Sequence, residues 1–231
     1  DVYKRQSLVK AVTDVGRRLV GSDVMPQYQP ELSKGGKPRA RLGRRVGDNR
    51  AAVTGIFLPA CVNTMFGPQG DGPGATDAFV NLLERAGLAL EVPGGIDKLC
   101  CGTPWSSKGL NEGHDVMEKR VVDTVVPLTD GGKLPIIVDA SSCTAGFRDL
   151  LEAHGVTVID AIAFTAEHIL PALDVAHPAE SVTLHPTCSA FQLGLMPDLE
   201  KVAGAAAREV NVPTAWNCCG YAGDRGMLHP E

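Results

Sequence analysis

Aromatic residues are scarce, at 5% of the 231 positions, so an interior must be built from aliphatic side chains and alanine. No run of about eighteen apolar residues occurs, which excludes a helix of membrane-spanning length. No basic start, apolar middle and small-residue cleavage site marks a signal peptide, and the expected location is cytoplasmic. No pair of cysteines has the short C-x2-4-C spacing of structural zinc hooks. The glycine-rich loop FGPQGDGPGATDAF matches neither G-x-G-x-x-G nor a P-loop, and it reads as a connection ahead of a helix capped by Thr76.

What is present is an ordinary globular balance, 44% hydrophobic and 21% charged, with seven cysteines. The net charge of -5 hides an asymmetry: residues 1–50 hold 12 Lys/Arg against 5 Asp/Glu, and residues 51–231 hold 10 against 22. Leu8, Val9, Val12, Val15 and Leu19 recur at helical spacing, which predicts an amphipathic helix over residues 3–20. Residues 21–50 show no periodicity and read as a basic, solvated linker rather than a nucleic-acid arm. The chain begins DVYKRQ and stops at HPE, which reads as a piece of a longer protein.

From Ala52 onward short apolar runs alternate with helical ones. Strands are expected at 53–59, 88–93, 134–140, 156–162, 181–186 and 209–214, and helices near 75–87, 110–127, 145–154, 163–173 and 197–208. The expected fold class is α/β, a mostly parallel sheet covered by helices, preceded by a short helix and a basic linker.

One pattern is written twice. IFLPACVNTMFG is followed by a helix and then by KLCCGTPWSSKG; SVTLHPTCSAFQLG is followed by a helix and then by NCCGYAGDRG. The expected organisation is therefore 1–50 as helix and linker, 51–175 as a first repeat and 176–231 as a second, shorter one. In the first repeat Cys61, Cys100, Cys101 and Cys143 supply four thiols, enough to hold one iron–sulfur cluster. In the second, Cys188, Cys218 and Cys219 supply three. Two adjacent cysteines cannot both point into a strand or helix core, and a turn with glycine next to them, Gly102 or Gly220, brings both sulfurs to one centre. Zinc is the alternative metal, and a zinc-stabilised or metal-free interaction domain is the alternative reading of these cysteines. Lys108 and Arg225 follow the two turns and could place a cation beside an anionic cluster, and His185 could donate a hydrogen bond to sulfur. Asp139 and Trp105 lie near cysteines in sequence, without a decisive role.

Together, CCGTPWSSKG, VDASSCT, the HPTCS segment and CCGYAGDRGMLHPE resemble the C-terminal CCG region of long FAD-linked D-lactate dehydrogenases. More distantly the arrangement is similar to the cysteine-rich subunit of heterodisulfide reductase and to the iron–sulfur subunit of glycolate oxidase. The resemblance covers residues 51–231 and implies a 4Fe-4S-type cluster on the cysteines named above. It also implies an FAD domain and a ferredoxin-like segment upstream in the full-length chain, and a quinone or other electron acceptor. Peripheral contact with the inner face of the membrane is compatible with that role, and no nucleic-acid partner is expected. One departure matters: Ala140 stands where the heterodisulfide reductase pattern has the first cysteine of a Cys-x-x-Cys pair, so five-cysteine ligation is not open to this repeat.

Overall fold

The computed structural model describes residues 2–29, 32–68, 70–217, 220, 223 and 225–229. The chain forms two compact units, one of residues 34–214 and one of residues 1–33 with 215–231.

The smaller unit is built on α1 (Val2–Val20). Its polar side is the one held: Arg17 donates to the carbonyls of Met25 at 3.0 Å and Leu228 at 2.6 Å, and Gln27 donates to Asp14 at 3.1 Å. The apolar stripe expected from the sequence exists, but Leu8, Val12, Val15 and Leu19 are exposed. A short helix, Arg225–Leu228, completes the described part of this unit.

In the larger unit the chain runs through β1 (Arg45–Gly47), β2 (Val53–Leu58), the single turn α2 (Val62–Met65), α3 (Ala75–Arg85) and β3 (Ala89–Glu91). It continues through α4 (Thr103–Ser106), α5 (Asn111–Val125), β4 (Ile136–Val138), α6 (Ser141–Leu151) and β5 (Val158–Asp160). These strands form one sheet in the order β1-β3-β2-β4-β5, parallel except for β1, which pairs antiparallel with β3. The α/β expectation is met. The edge strand β1 lies inside the stretch read as linker, where one buried valine, Val46, is too little pattern to betray a strand.

The core explains the order. Ile56, Phe57 and Leu58 of β2 and Ile136, Ile137 and Val138 of β4 have no exposed surface, because both strands are central and covered on both faces. Leu83 of α3, Val121 and Val125 of α5, and Phe147, Leu150 and Leu151 of α6 complete the packing. Cys101 and Cys143 are buried members of the same cluster.

After β5 the helix expected over 163–173 is a composite: α7 (Ala161–Phe164), a π turn over Thr165–Ile169 and a 3-10 turn over Leu170–Ala172, where Pro171 lacks the N–H that a regular helix needs. Then follow β6 (Ala179–Thr183), α8 (Cys188–Gln192), α9 (Met196–Ala206) and β7 (Ala207–Asn211). β6 and β7 pair in parallel as a separate two-stranded sheet. Strand, cysteine at a short helix, longer helix, parallel strand: this is the path of β2-α2-α3-β3 taken a second time, and the written repeat is a structural one. Both copies lead from the second strand toward a Cys-Cys-Gly.

Candidate metal centre

The larger sheet has a switch point. From β2 the chain crosses to β3 on one side, and from β4 it crosses to β5 on the other, so a crevice opens beyond the carboxyl ends of β2 and β4, where α/β sheets bind their ligands. Cys61 follows β2, and Cys143 lies in the first turn of α6, which follows β4. The loop after β3 returns Cys100 and Cys101 to the same place.

Neighbouring thiols interact in a row, Cys61 with Cys100, Cys100 with Cys101 and Cys101 with Cys143. Cys101 and Cys143 are buried, Cys61 and Cys100 half-buried. Protons are shared unequally along the row. Interaction with Cys100, helped by the charge of Arg39 and opposed by burial, lowers Cys61 from 9.0 to about 6. Interaction with Cys100 and Cys143, against the effect of burial, pulls Cys101 well below the ordinary thiol range, and its sulfur lies 3.3 Å from Thr103 Oγ1. Cys100 and Cys143 are pushed up by those same interactions and by burial. The row thus alternates thiol and thiolate, a donor set suited to a metal or an iron–sulfur group. Metal-free protein should react with iodoacetamide at Cys61 with a midpoint near pH 6, faster above it and slower below, while Cys143 stays unmodified at neutral pH. Peptide mapping of the alkylated protein reads both.

Two glycines let the row close. Gly102 has φ +82°, and the His114 ring lies 3.0 Å from where its Cβ would be, so the turn after the two cysteines needs glycine both for its angle and for space. Gly146, on α6 one turn past Cys143, faces the turn directly: a Cβ there would stand 2.5 Å from the Cys101 carbonyl oxygen and 2.6 Å from Thr103 Oγ1. The helix that carries Cys143 therefore packs backbone to backbone on the stretch of chain that carries Cys101.

Asp139 ties the crevice shut from below. One carboxylate oxygen accepts from the Ala60 N–H at 2.6 Å, next to Cys61, and the other accepts from Thr76 Oγ1 at 2.6 Å. Burial raises its pKa, and these hydrogen bonds oppose the shift. Thr76 does not cap α3 as the sequence suggests; Gly74 is the N-cap, with no side-chain cap, because the Thr76 hydroxyl is committed to Asp139. Asp139→Ala leaves both donors without their acceptor and is expected to cost about 2–4 kcal/mol in urea unfolding, while Asp139→Asn, which keeps an acceptor for Ala60, costs less than about 1.5 kcal/mol.

The remaining residues singled out by sequence divide as follows. Gly102 is buried at the turn. Lys108 is exposed beyond α4, and the cation whose charge acts on the row is instead Arg39, which donates to the carbonyls of Pro59 and Leu99 at 3.0 Å each. Cys188 is exposed at the first position of α8, outside the row of four, and His185 is exposed just before it. Gly220 and Arg225 are exposed, with φ +74° at Gly220. Cys218 and Cys219 lie outside the described residues. Sequence reasoning missed Arg39, Thr103, His114 and Gly146. Only Thr103, two residues past Cys101, stands where a signal is available.

The profile of the cysteine-rich CCG domain matches residues 56–148 and 182–230, together well over half of the chain and including all seven cysteines. This chain belongs to the CCG cysteine-rich domain family. No curated protein and no solved structure matches it. The first matched segment begins in β2 and runs past β3 and β4 into α6, and the second begins in β6 and runs past β7. Among the described residues of this CCG protein no helix is long and apolar enough to cross a membrane.

Proposed function

We propose that this chain is the iron–sulfur electron-transfer region of a flavin-dependent D-2-hydroxyacid dehydrogenase, with D-lactate as the substrate of the whole enzyme. The observation that carries the reading is the row of four cysteines from three loops at the switch point of the sheet, in a CCG-family chain. The row favours iron–sulfur over zinc. A single zinc needs all four sulfurs about one centre, whereas a multi-iron group offers a separate iron to each thiolate of an extended set. When bound, such a group accepts and releases single electrons.

The chain's own residues have definite parts in this account. Cys61, Cys100, Cys101 and Cys143 hold the group; Gly102 and Gly146 let their loops approach; Asp139 fixes the Cys61 loop against the end of β4. Arg39 beside Cys61 favours the more negative, reduced state. Cys188, Cys218 and Cys219 form the corresponding set in the second repeat, with Gly220, His185 and Arg225 near it in sequence and Lys108 near the first. Electrons arrive from an FAD domain through a ferredoxin-like segment of the same full-length chain, and leave to a quinone or another acceptor at the cytoplasmic face of the membrane.

A second reading, thiol–disulfide reduction at the same row, draws on the half-exposed Cys61 with its lowered pKa. Anaerobic addition of D-lactate to the full-length protein separates the two. Appearance of the EPR signal of a reduced cluster supports electron transfer from the hydroxy acid; a cluster that loads but stays oxidised with D-lactate and turns over with a disulfide contradicts it.

A further inference from the structure

Beside the thiol row, and distinct from it, lies a cleft of about 1030 Å³ between the basic segment 34–42 and the glycine-rich connection that leads into α3. That volume is at the upper end of the range for small-molecule sites. The two walls are pinned together at one end. Gly36 N–H donates to the Thr64 carbonyl at 2.9 Å, Gly67 N–H to the Lys34 carbonyl at 2.6 Å, and Thr64 Oγ1 to the Lys37 carbonyl at 3.2 Å. The cleft is therefore preformed.

Its charge is one-sided. Lys34, Lys37, Arg39 and Arg41 line it against Asp71 and Asp77. Lys37 is neutralised by Asp77 at 2.6 Å, and Arg39 is held by two backbone carbonyls, which leave its charge intact. Lys34 reaches only the Gly70 carbonyl, at 3.3 Å. Arg41 has no hydrogen bond or ion pair from its side chain among the described residues. Leu42, Phe66 and Val80 supply apolar wall between these cations. Arg39 also borders a smaller recess of about 210 Å³ that opens onto Cys61.

We propose that this cleft binds a small organic anion, an apolar body bearing a carboxylate or phosphate head that Arg41 and Lys34 take, with Arg39 contributing its field. A guanidinium without a partner is available for a bidentate bond to either head group, and the apolar wall gives the body somewhere to lie. The proposal goes beyond the electron-transfer reading and does not depend on what the cysteines hold.

Calorimetric titration of the purified protein, before and after loading with iron and sulfide, tests it with benzoate and phenyl phosphate, which share a ring and differ in the head, and with benzyl alcohol as the uncharged control. One of the two anions is expected to bind saturably with benzyl alcohol silent, the tighter one naming the head group, and Arg41→Gln or Lys34→Gln should weaken it about tenfold. Arg208→Gln, on β7 and paired with Glu180, should leave it unchanged. No saturation by either anion below ~10 mM, or equal binding by the parent, Arg41→Gln and Lys34→Gln proteins, overturns the proposal. Loss of the iron–sulfur spectrum with binding retained would instead count against the electron-transfer reading alone.

Discussion

Cys101→Ser is expected to abolish iron–sulfur loading of the first repeat, with iron affinity reduced by more than ~100-fold. Cys101 lies inside the row: it interacts with Cys100 on one side and with Cys143 on the other, and both lower its pKa and favour the thiolate. A serine hydroxyl in the same place stays protonated near neutral pH and offers iron a hard, weak donor in place of a soft, charged one. The loss should be larger than for Cys61→Ser, because Cys61 stands at one end of the row, half-exposed beside a recess where another donor can enter. Cys188→Ser, outside the row, should leave loading of this site intact. Iron and sulfide analysis of the reconstituted variants, with circular dichroism to confirm folding, ranks the three.

Gly146→Ala should damage the larger unit at the thiol row itself. The new carbon would sit 2.5 Å from the Cys101 carbonyl oxygen and 3.1 Å from Cys101 Cβ, backbone and near-backbone atoms that cannot swing away. Either α6 or the Cys-Cys-Gly turn must retreat, and each carries part of the row. Overpacking of this kind costs about 1–3 kcal/mol, and the displacement separates Cys143 from Cys101, so stability and iron loading should fall together. Gly204→Ala in α9 is the matched control. Nothing lies within 4 Å of its added carbon, and in a helix interior the change should stabilise by ~0.5–1 kcal/mol with loading unaffected. Urea unfolding and iron content, measured on both, distinguish a packing effect at the site from a general effect of losing glycine.

The parts of the molecule that are legible in the sequence are those written as local patterns. β2 through β7 fall within two residues of their expected starts because each is a short apolar run between turn signals, and α3, α5 and α9 carry helical periodicity over ten residues or more. Cys61, Cys100 and Cys101 are legible from repetition and Cys143 from its place just after a strand, which tells which cysteines belong together without telling how they meet. What stays hidden depends on contacts distant in sequence. Arg39 is one more charge in a linker until its guanidinium meets carbonyls at Pro59 and Leu99. Gly146 is a weak point in a helix until the Cys101 turn is set against it. Thr76 offers the usual chemistry of a helix cap, and Asp139, 63 residues away, has the stronger claim on its hydroxyl. The apolar stripe of α1 is real but does not face inward, since the hold on its other side rests on Met25, Gln27 and Leu228, which no periodicity announces.

Whether Cys61, Cys100, Cys101 and Cys143 hold an iron–sulfur cluster is tested most directly by anaerobic reconstitution of the Cys188→Ser protein with iron and sulfide, followed by visible absorption, metal analysis and EPR after reduction. Broad absorption that bleaches on reduction, about four irons per chain and an EPR signal that vanishes in Cys101→Ser are expected. A protein that takes up zinc but no iron and sulfide, or whose iron–sulfur signal survives Cys101→Ser unchanged, would contradict a cluster on these four cysteines.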